Sequence, residues 1–73
     1  MPKLPVISGQ ECIKALLKAG FYIDRQRGSH VILRREEPLT VIPVPAHREL
    51  RKGTLRSILK SAGLTVEDFL ELL

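Results

Sequence analysis

The sequence predicts a small α+β domain in which a helix, a three-stranded antiparallel sheet and a second helix are followed by a short extra helix. Three observations predict this order. Segments towards both ends carry capping sequences and apolar residues at helical spacing. The middle of the chain holds three short strand-like segments separated by turn residues. At 73 residues there is room for one hydrophobic core, so we expect a single domain over residues 1–73.

The first helix is predicted to follow an extended lead-in, Met1 to Ile7. Ser8 and Glu11 have the spacing of a capping box, in which the hydroxyl accepts a hydrogen bond from the Glu11 amide while the carboxylate reaches back. Gly20 supplies the left-handed residue that ends the helix. The predicted buried stripe consists of Ile13, Leu16 and Leu17.

Three predicted strands follow, and we expect helices to cover one face of their sheet. The strands comprise residues 21–26, 30–35 and 39–44. Phe21 and Ile23 share a face of the first strand. Gly28 makes the first turn, and Pro38 makes the second because proline fits early turn positions and cannot continue a ladder. Pro43 indicates that the third strand is an edge strand or ends early.

The orientation of the second strand decides where its histidine points. If Val31 and Leu33 face the helices, His30 and Arg34 lie together on the open face of the sheet. The opposite orientation would bury His30, and the apolar Ile32 leaves this alternative open.

The second helix is predicted to begin at Gly53-Thr54 and to end at Gly63. Its core face comprises Leu55, Ile58, Leu59 and Ala62. A third, short helix is predicted after the capping segment Thr65 to Asp68. Its apolar residues are Phe69, Leu70, Leu72 and Leu73. We expect Phe69, Leu70 and Leu73 to pack on the core, and the alternative is that they offer an apolar edge to a partner.

Charge is unevenly distributed along the chain. The net charge is +4, but between Arg25 and Lys60 nine basic residues stand against three acidic ones. From Leu64 to Leu73 there are three acidic residues and no basic residue. A cationic body suits a polyanionic partner such as nucleic acid, and the plainer alternative is a solvated basic surface.

Composition also limits the compartment and the cofactors. The single cysteine, Cys12, cannot form an intramolecular disulfide, so we expect a reducing compartment and a small, partly buried apolar residue. The sequence shows neither a signal-like stretch nor an apolar run of transmembrane length, so we expect a cytoplasmic protein with no membrane contact. It contains no histidine–cysteine ligand cluster and no paired carboxylates in the basic body, so we expect no metal and no other cofactor.

The Gly28-Ser29-His30 turn carries the strongest candidate for chemistry. It places a histidine at the start of a strand, with arginines on both sides. An imidazole set among cations at a strand edge suits acid/base chemistry on a phosphodiester, because histidine titrates near neutral pH. From the residues alone, the alternative is an ordinary strand histidine.

A second candidate region surrounds the start of the second helix. Free backbone amides, the positive end of the helix dipole and added cations favour an anion there. The side chains in this group are Arg51, Lys52, Thr54 and Arg56. The alternative is a solvated basic helix end. Arg34 and Arg35 are further candidates to stabilise charge that develops on phosphorus, and one of the two is expected to be a plain surface charge.

His47 is the only other histidine, and it lies in the polar connection before the second helix. It is a candidate for an acid/base pair with His30, and the alternative is a loop histidine that contacts phosphate. The chain contains only three aromatic residues, so base stacking, for example on Tyr22, is not expected to be the main mode of RNA binding.

Three segments carry a family resemblance: Gly28-Ser29-His30, Val44-Pro45-Ala46-His47 and the run from Leu50 to Lys60. Together they resemble the HicA family, the small toxins of bacterial and archaeal type II toxin–antitoxin systems, and the resemblance extends from Ser8 to Phe69. It implies a fold like that of a double-stranded-RNA-binding domain, activity as an mRNA interferase and a catalytic histidine at His30. It also implies a HicB-type antitoxin that binds the toxin and masks this site.

These observations lead to the hypothesis of a metal-independent endoribonuclease toxin that acts on mRNA. In the RNA-binding fold that the chain resembles, the start of the second helix binds phosphates. The resemblance therefore implies that Arg51 and Lys52 bind phosphates here. One alternative is a non-catalytic RNA-binding module that uses the same basic surface. The other is a protein-interaction domain whose acidic tail helix completes a partner.

Overall fold

The computed structural model describes residues 3–73 and confirms the predicted order of elements. Met1 and Pro2, the first residues of the predicted lead-in, lie outside the described residues. The elements are α1 (Gly9–Lys18), β1 (Tyr22–Arg27), β2 (His30–Glu36), β3 (Leu39–Pro45), α2 (Lys52–Ala62) and α3 (Val66–Leu72). The strands form one antiparallel sheet in the order β1-β2-β3. This α+β arrangement matches the expected double-stranded-RNA-binding-domain-like fold with a short additional helix at its end.

The hydrophobic core lies between one face of the sheet and the helices. Its fully buried side chains come from five of the elements, which explains why the three helices and the sheet pack as one unit. These side chains are Cys12 and Leu16 of α1, Leu33 of β2, Ile42 and Val44 of β3, Leu55 of α2 and Phe69 of α3. All four residues of the predicted core face of α2 are buried.

Two of the three helix starts follow their capping sequences. Ser8 and Glu11 form the predicted capping box of α1, and Thr65 and Asp68 form one at α3. The start of α2 differs, because Arg51 occupies the cap position and makes no side-chain capping hydrogen bond. The first amides of α2 therefore depend on solvent or on a ligand for a hydrogen-bond partner.

The second strand has the orientation that exposes its histidine. Leu33 is fully buried and Val31 packs against the core, whereas His30 is exposed. Ile32 lies on the open face with His30 and is nevertheless only 8% exposed. It occupies the central strand, where its ladder partners Arg25 and Pro43 shield it from both sides.

The predicted burial of three apolar residues, Leu17, Leu70 and Leu73, is wrong. Leu17 and Ile23 are 42% and 53% exposed, because all six residues of β1 are solvent-exposed and the α1 side that faces this strand is left uncovered. In α3, Phe69 packs on the core as expected, but Leu70 and Leu73 are exposed.

None of the helices within residues 3–73 combines the length and the apolar composition needed to cross a bilayer.

Candidate functional site

His30 stands at the first position of β2, directly after the turn formed by Gly28 and Ser29. Gly28 has a φ of +59°, a left-handed conformation that side chains other than glycine rarely adopt. The Gln26 side-chain amide donates a 3.2 Å hydrogen bond to the Gly28 carbonyl oxygen. The turn is therefore fixed by its own backbone geometry and by a side chain of the preceding strand.

Backbone contacts bring this turn together with the connection that contains His47. His30 lies opposite Pro45 in the β2–β3 ladder, and the Ala46 amide donates a 2.7 Å hydrogen bond to the Ser29 carbonyl oxygen. His47 therefore lies only two residues after Pro45, the ladder partner of His30. Both histidines are exposed.

The same connection is attached to the start of α1. The Gly9 amide donates to the His47 carbonyl oxygen at 2.9 Å, and the Leu50 amide donates to the Ile7 carbonyl oxygen at 2.8 Å. Only glycine fits at the first of these contacts, because a Cβ atom at position 9 would lie 2.0 Å from the Pro45 carbonyl oxygen. The β1–β2 turn, the His47 connection and the starts of α1 and α2 therefore occupy one end of the domain, here called the histidine end.

Four basic residues accompany the two histidines at this end. All four are exposed, which leaves their charges accessible to an anion. They are Arg27 opposite His30 in the β1–β2 ladder, Arg48 in the connection, and Arg51 and Lys52 at the start of α2.

The remaining residues predicted around the start of α2 point in two directions. Arg56 is exposed one helical turn after Lys52 and therefore lies on the same side of the helix. Thr54 is half-buried and faces β3, where it lines a groove with Pro43 and Ser57. The structure thus groups Arg51, Lys52 and Arg56, and it places Thr54 on a different side of α2.

Arg34 lies on the open face with His30 and already has a partner. Its Nε donates a 3.0 Å hydrogen bond to the Glu36 carboxylate, which also accepts a hydrogen bond from the Tyr22 hydroxyl of the neighbouring strand. These two hydrogen bonds lower the pKa of Glu36, with the one from Tyr22 as the main cause. The hydrogen bond to Glu36 likewise raises the pKa of Tyr22 and that of Arg34.

Arg35 projects from the opposite face and packs among the helices. Its guanidinium carbon lies 4.5 Å from the centroid of the Phe21 ring, and its Nη2 donates 3.3 Å hydrogen bonds to the Thr40 hydroxyl and to the Ala62 carbonyl oxygen at the end of α2. Arg35 therefore serves as a structural contact between the sheet and α2. Of the two arginines considered for charge stabilisation, only Arg34 shares a face with His30.

Cys12 is fully buried, and burial raises the pKa of its thiol to about 11. The thiol is therefore protonated at neutral pH and inaccessible to reagents. Within residues 3–73, no three side chains of the types that ligate metals come together as a cation site.

Neither the role of Gln26 nor the Tyr22–Glu36 hydrogen bond was predicted from the sequence. Gln26 precedes Gly28 by two residues, but glutamine at that spacing is a weak signal because side-chain contacts to a nearby turn are typical of shorter residues such as Asn and Asp. Tyr22 and Glu36 are far apart in sequence, so only the pairing register places them side by side.

Comparison with known proteins identifies the family of this chain. A family model described as "HicA toxin of bacterial toxin-antitoxin" matches residues 9–64, which span α1 to the end of α2 and include the whole histidine end. No curated protein matches the chain. The family match covers well over half of the sequence, and the chain therefore belongs to the HicA toxin family.

Proposed function

We propose that this HicA-family toxin is a metal-independent endoribonuclease that cleaves mRNA and is neutralised by a HicB-type antitoxin. The observation that carries the proposal is the exposed His30 on a braced glycine turn, at the end of the domain where basic side chains gather. The left-handed Gly28 and the two hydrogen bonds to the turn hold His30 in a fixed position, as a catalytic side chain requires.

In the proposed reaction His30 transfers a proton at the scissile phosphate. As a general base it removes the proton of the ribose 2′-hydroxyl, and the 2′-oxygen then attacks phosphorus while the bond to the 5′-oxygen breaks. The products are a 2′,3′-cyclic phosphate and a free 5′-hydroxyl. The second proton transfer, to the leaving 5′-oxygen, falls to His47 or to water.

The proposed grip on RNA is directed mainly at the backbone. Arg51 and Lys52 contact phosphates beside the uncapped amides of α2, and Arg56 extends this cationic line by one turn. Arg34 adds positive charge to the face of the sheet that carries His30, although Glu36 engages part of its guanidinium. Thr54 contributes only where RNA reaches the β3 side of α2.

A cleavage assay with labelled single-stranded RNA in EDTA tests this proposal. We expect cleavage products that end in a 2′,3′-cyclic phosphate, and we expect DNA of the same sequence to remain intact because it lacks the 2′-hydroxyl nucleophile. Cleavage of the DNA would contradict the mechanism. Salt-dependent RNA binding without cleavage at any protein concentration would favour the alternative, a non-catalytic RNA-binding module.

A further inference from the structure

A groove of about 500 Å³ lies between α1 and β1, next to the histidine end. Its walls are apolar and its rim is polar, a combination typical of protein-binding surfaces. The apolar lining comprises Ile13, Leu17, Ile23 and Val31, and Lys14 and Gln26 lie at the rim.

The groove leaves two large apolar side chains in water. Leu17 is 42% exposed and Ile23 is 53% exposed, although both point to the space between the helix and the sheet that would ordinarily be filled. Apolar side chains that converge in one groove indicate a protein occupant, because RNA offers mainly charged phosphates and polar base edges to such a surface.

The two edges of the sheet differ in their capacity to accept another strand. Within the described chain, β1 pairs only with β2, so its outer edge is free. The β3 edge carries Pro43 and Pro45, which have no amide hydrogen to donate. A strand added to the β1 edge would therefore find amide donors on both sides of the β-bulge between Ile23 and Arg25, and it would lie directly beside the groove.

Charge near the groove selects the chemistry of the occupant. Lys14 is the charged residue that lines the groove. Arg25 and Arg27, the ladder partners of Ile32 and His30, are exposed on the other face of β1, where they would flank a strand added to its edge. The carboxylate of Asp24 lies 3.7 Å from Arg25 and offsets only part of this positive charge. The groove and the β1 edge together therefore suit a segment with apolar side chains towards the groove and acidic side chains towards these cations.

The groove also reaches the turn that carries His30. Gln26 and Ala46 both line it, and these residues donate the hydrogen bonds to Gly28 and Ser29. An occupant of the groove would therefore contact the residues that hold the turn.

We infer that the antitoxin docks in this groove, with an apolar and acidic segment that adds to the β1 edge and extends over the His30 turn. Membership of a toxin–antitoxin family implies an antitoxin partner, and the groove is the proposed binding site for it. The inference rests on the proposed function, because it gives a structural basis for neutralisation of the same site.

Two groove variants and one matched control test the inference. Leu17→Asp and Ile23→Asp each introduce a negative charge into the groove, and Leu39→Asp makes the same change at an exposed leucine of β3, on the far edge of the sheet. The affinity of each variant for the purified cognate HicB-type antitoxin is measured by calorimetry, after circular dichroism has shown that the variant is folded.

We expect the groove variants to bind the antitoxin at least about 30-fold more weakly, the size typical of a central interface residue, and Leu39→Asp to bind like the wild type. Unchanged affinity of both groove variants, or loss of affinity only in Leu39→Asp, would overturn the inference. Because Leu17 is on a helix surface and Ile23 is in a strand, failure of one variant to fold leaves the other as the test.

RNA cleavage by the same variants, without antitoxin, separates this inference from the proposed function. If the proposed function holds, both groove variants cleave RNA like the wild type and resist inhibition by the antitoxin. If the wild type does not cleave RNA, the proposed function fails, and the binding measurements still decide where the antitoxin docks.

Discussion

The side chains of Arg34 and Arg35, neighbours in β2, project from opposite faces of the sheet. Arg34 pairs with Glu36 on the open face, whereas Arg35 lies over the Phe21 ring and donates to the last carbonyl of α2. Arg34 therefore lies on the face of the sheet that carries His30, whereas Arg35 stabilises the packing of the sheet against α2, so each can serve as a control for the other.

Replacement of Arg35 by alanine is expected to destabilise the protein. The change removes a cation–π contact and the hydrogen bonds to Thr40 and Ala62, so we expect a loss of about 1–3 kcal/mol in the free energy of unfolding. Urea denaturation measures this loss. The control is Arg34→Ala, which removes an exposed ion pair and should cost clearly less than Arg35→Ala. An equal cost for the two variants would contradict the structural role of Arg35.

Alanine substitutions at two helical glycines should change stability in opposite directions. Gly9→Ala forces a Cβ against the Pro45 carbonyl oxygen, so we expect a loss of about 1–3 kcal/mol despite the better helix propensity of alanine. At Gly53 no described atom lies within 4 Å of an added Cβ, so Gly53→Ala should stabilise the protein by about 0.5–1 kcal/mol. Thermal unfolding of the two variants checks this; a neutral or stabilising Gly9→Ala would show that α1 and the His47 connection are not in tight contact.

The Tyr22–Glu36 hydrogen bond predicts a specific pH dependence. Tyr22 is the only tyrosine in the sequence, so its ultraviolet absorbance reports its ionisation alone. The hydrogen bond to Glu36 raises the pKa of Tyr22, and we expect Glu36→Gln to lower this pKa towards the value of free tyrosine, about 10. Alkaline titration of the two folded proteins measures the difference, and identical titration curves would contradict the hydrogen bond.

The sign of the linked stability follows from the same shift. The pKa of Tyr22 is raised in the folded state. The contribution of its hydrogen bond to the free energy of unfolding is therefore fully present below the pKa of Tyr22 in the unfolded chain, and it is lost as the pH rises through the pKa in the folded protein. The difference in the free energy of unfolding between the wild type and Tyr22→Phe, measured by urea denaturation, should therefore become smaller above about pH 10.

The buried thiol of Cys12 should be unreactive in the native protein. Burial raises its pKa to about 11 and leaves no exposed surface, so at about pH 8 a disulfide reagent should react only with molecules that open. The rate of thiol modification is compared between native protein and protein unfolded in urea. Equal rates in the two conditions would show that α1 does not shield the thiol.

Local sequence signals predicted the fold well where the structure depends on neighbouring residues. Ser8 and Glu11 form the predicted capping box because both partners lie within one helical turn. For β2 the sequence left two orientations open, and the structure has the one in which Val31 and Leu33 face the helices and His30 is exposed. Ile32 was ambiguous from the sequence because its shielding comes from Arg25 and Pro43, which belong to the flanking strands.

The sequence was less informative where burial depends on what lies opposite. The apolar character and spacing of Leu17 and Ile23 do not show whether another element covers them. In the structure the space between α1 and β1 is left open. For the candidate site, the sequence indicated His30, His47 and the basic start of α2. It could not indicate that Thr54 faces β3 or that Arg34 is held by Glu36, because both relationships arise from tertiary packing and strand register.

The most direct test of the central claim compares RNA cleavage by the wild type, His30→Ala and His47→Ala in EDTA. Each variant is first shown to be folded and to retain RNA binding. We predict that His30→Ala lowers the cleavage rate by about 100-fold or more, the size typical of a lost general base or acid, and that the loss in His47→Ala is smaller. Cleavage by His30→Ala at the rate of the wild type would contradict the claim that His30 transfers the proton.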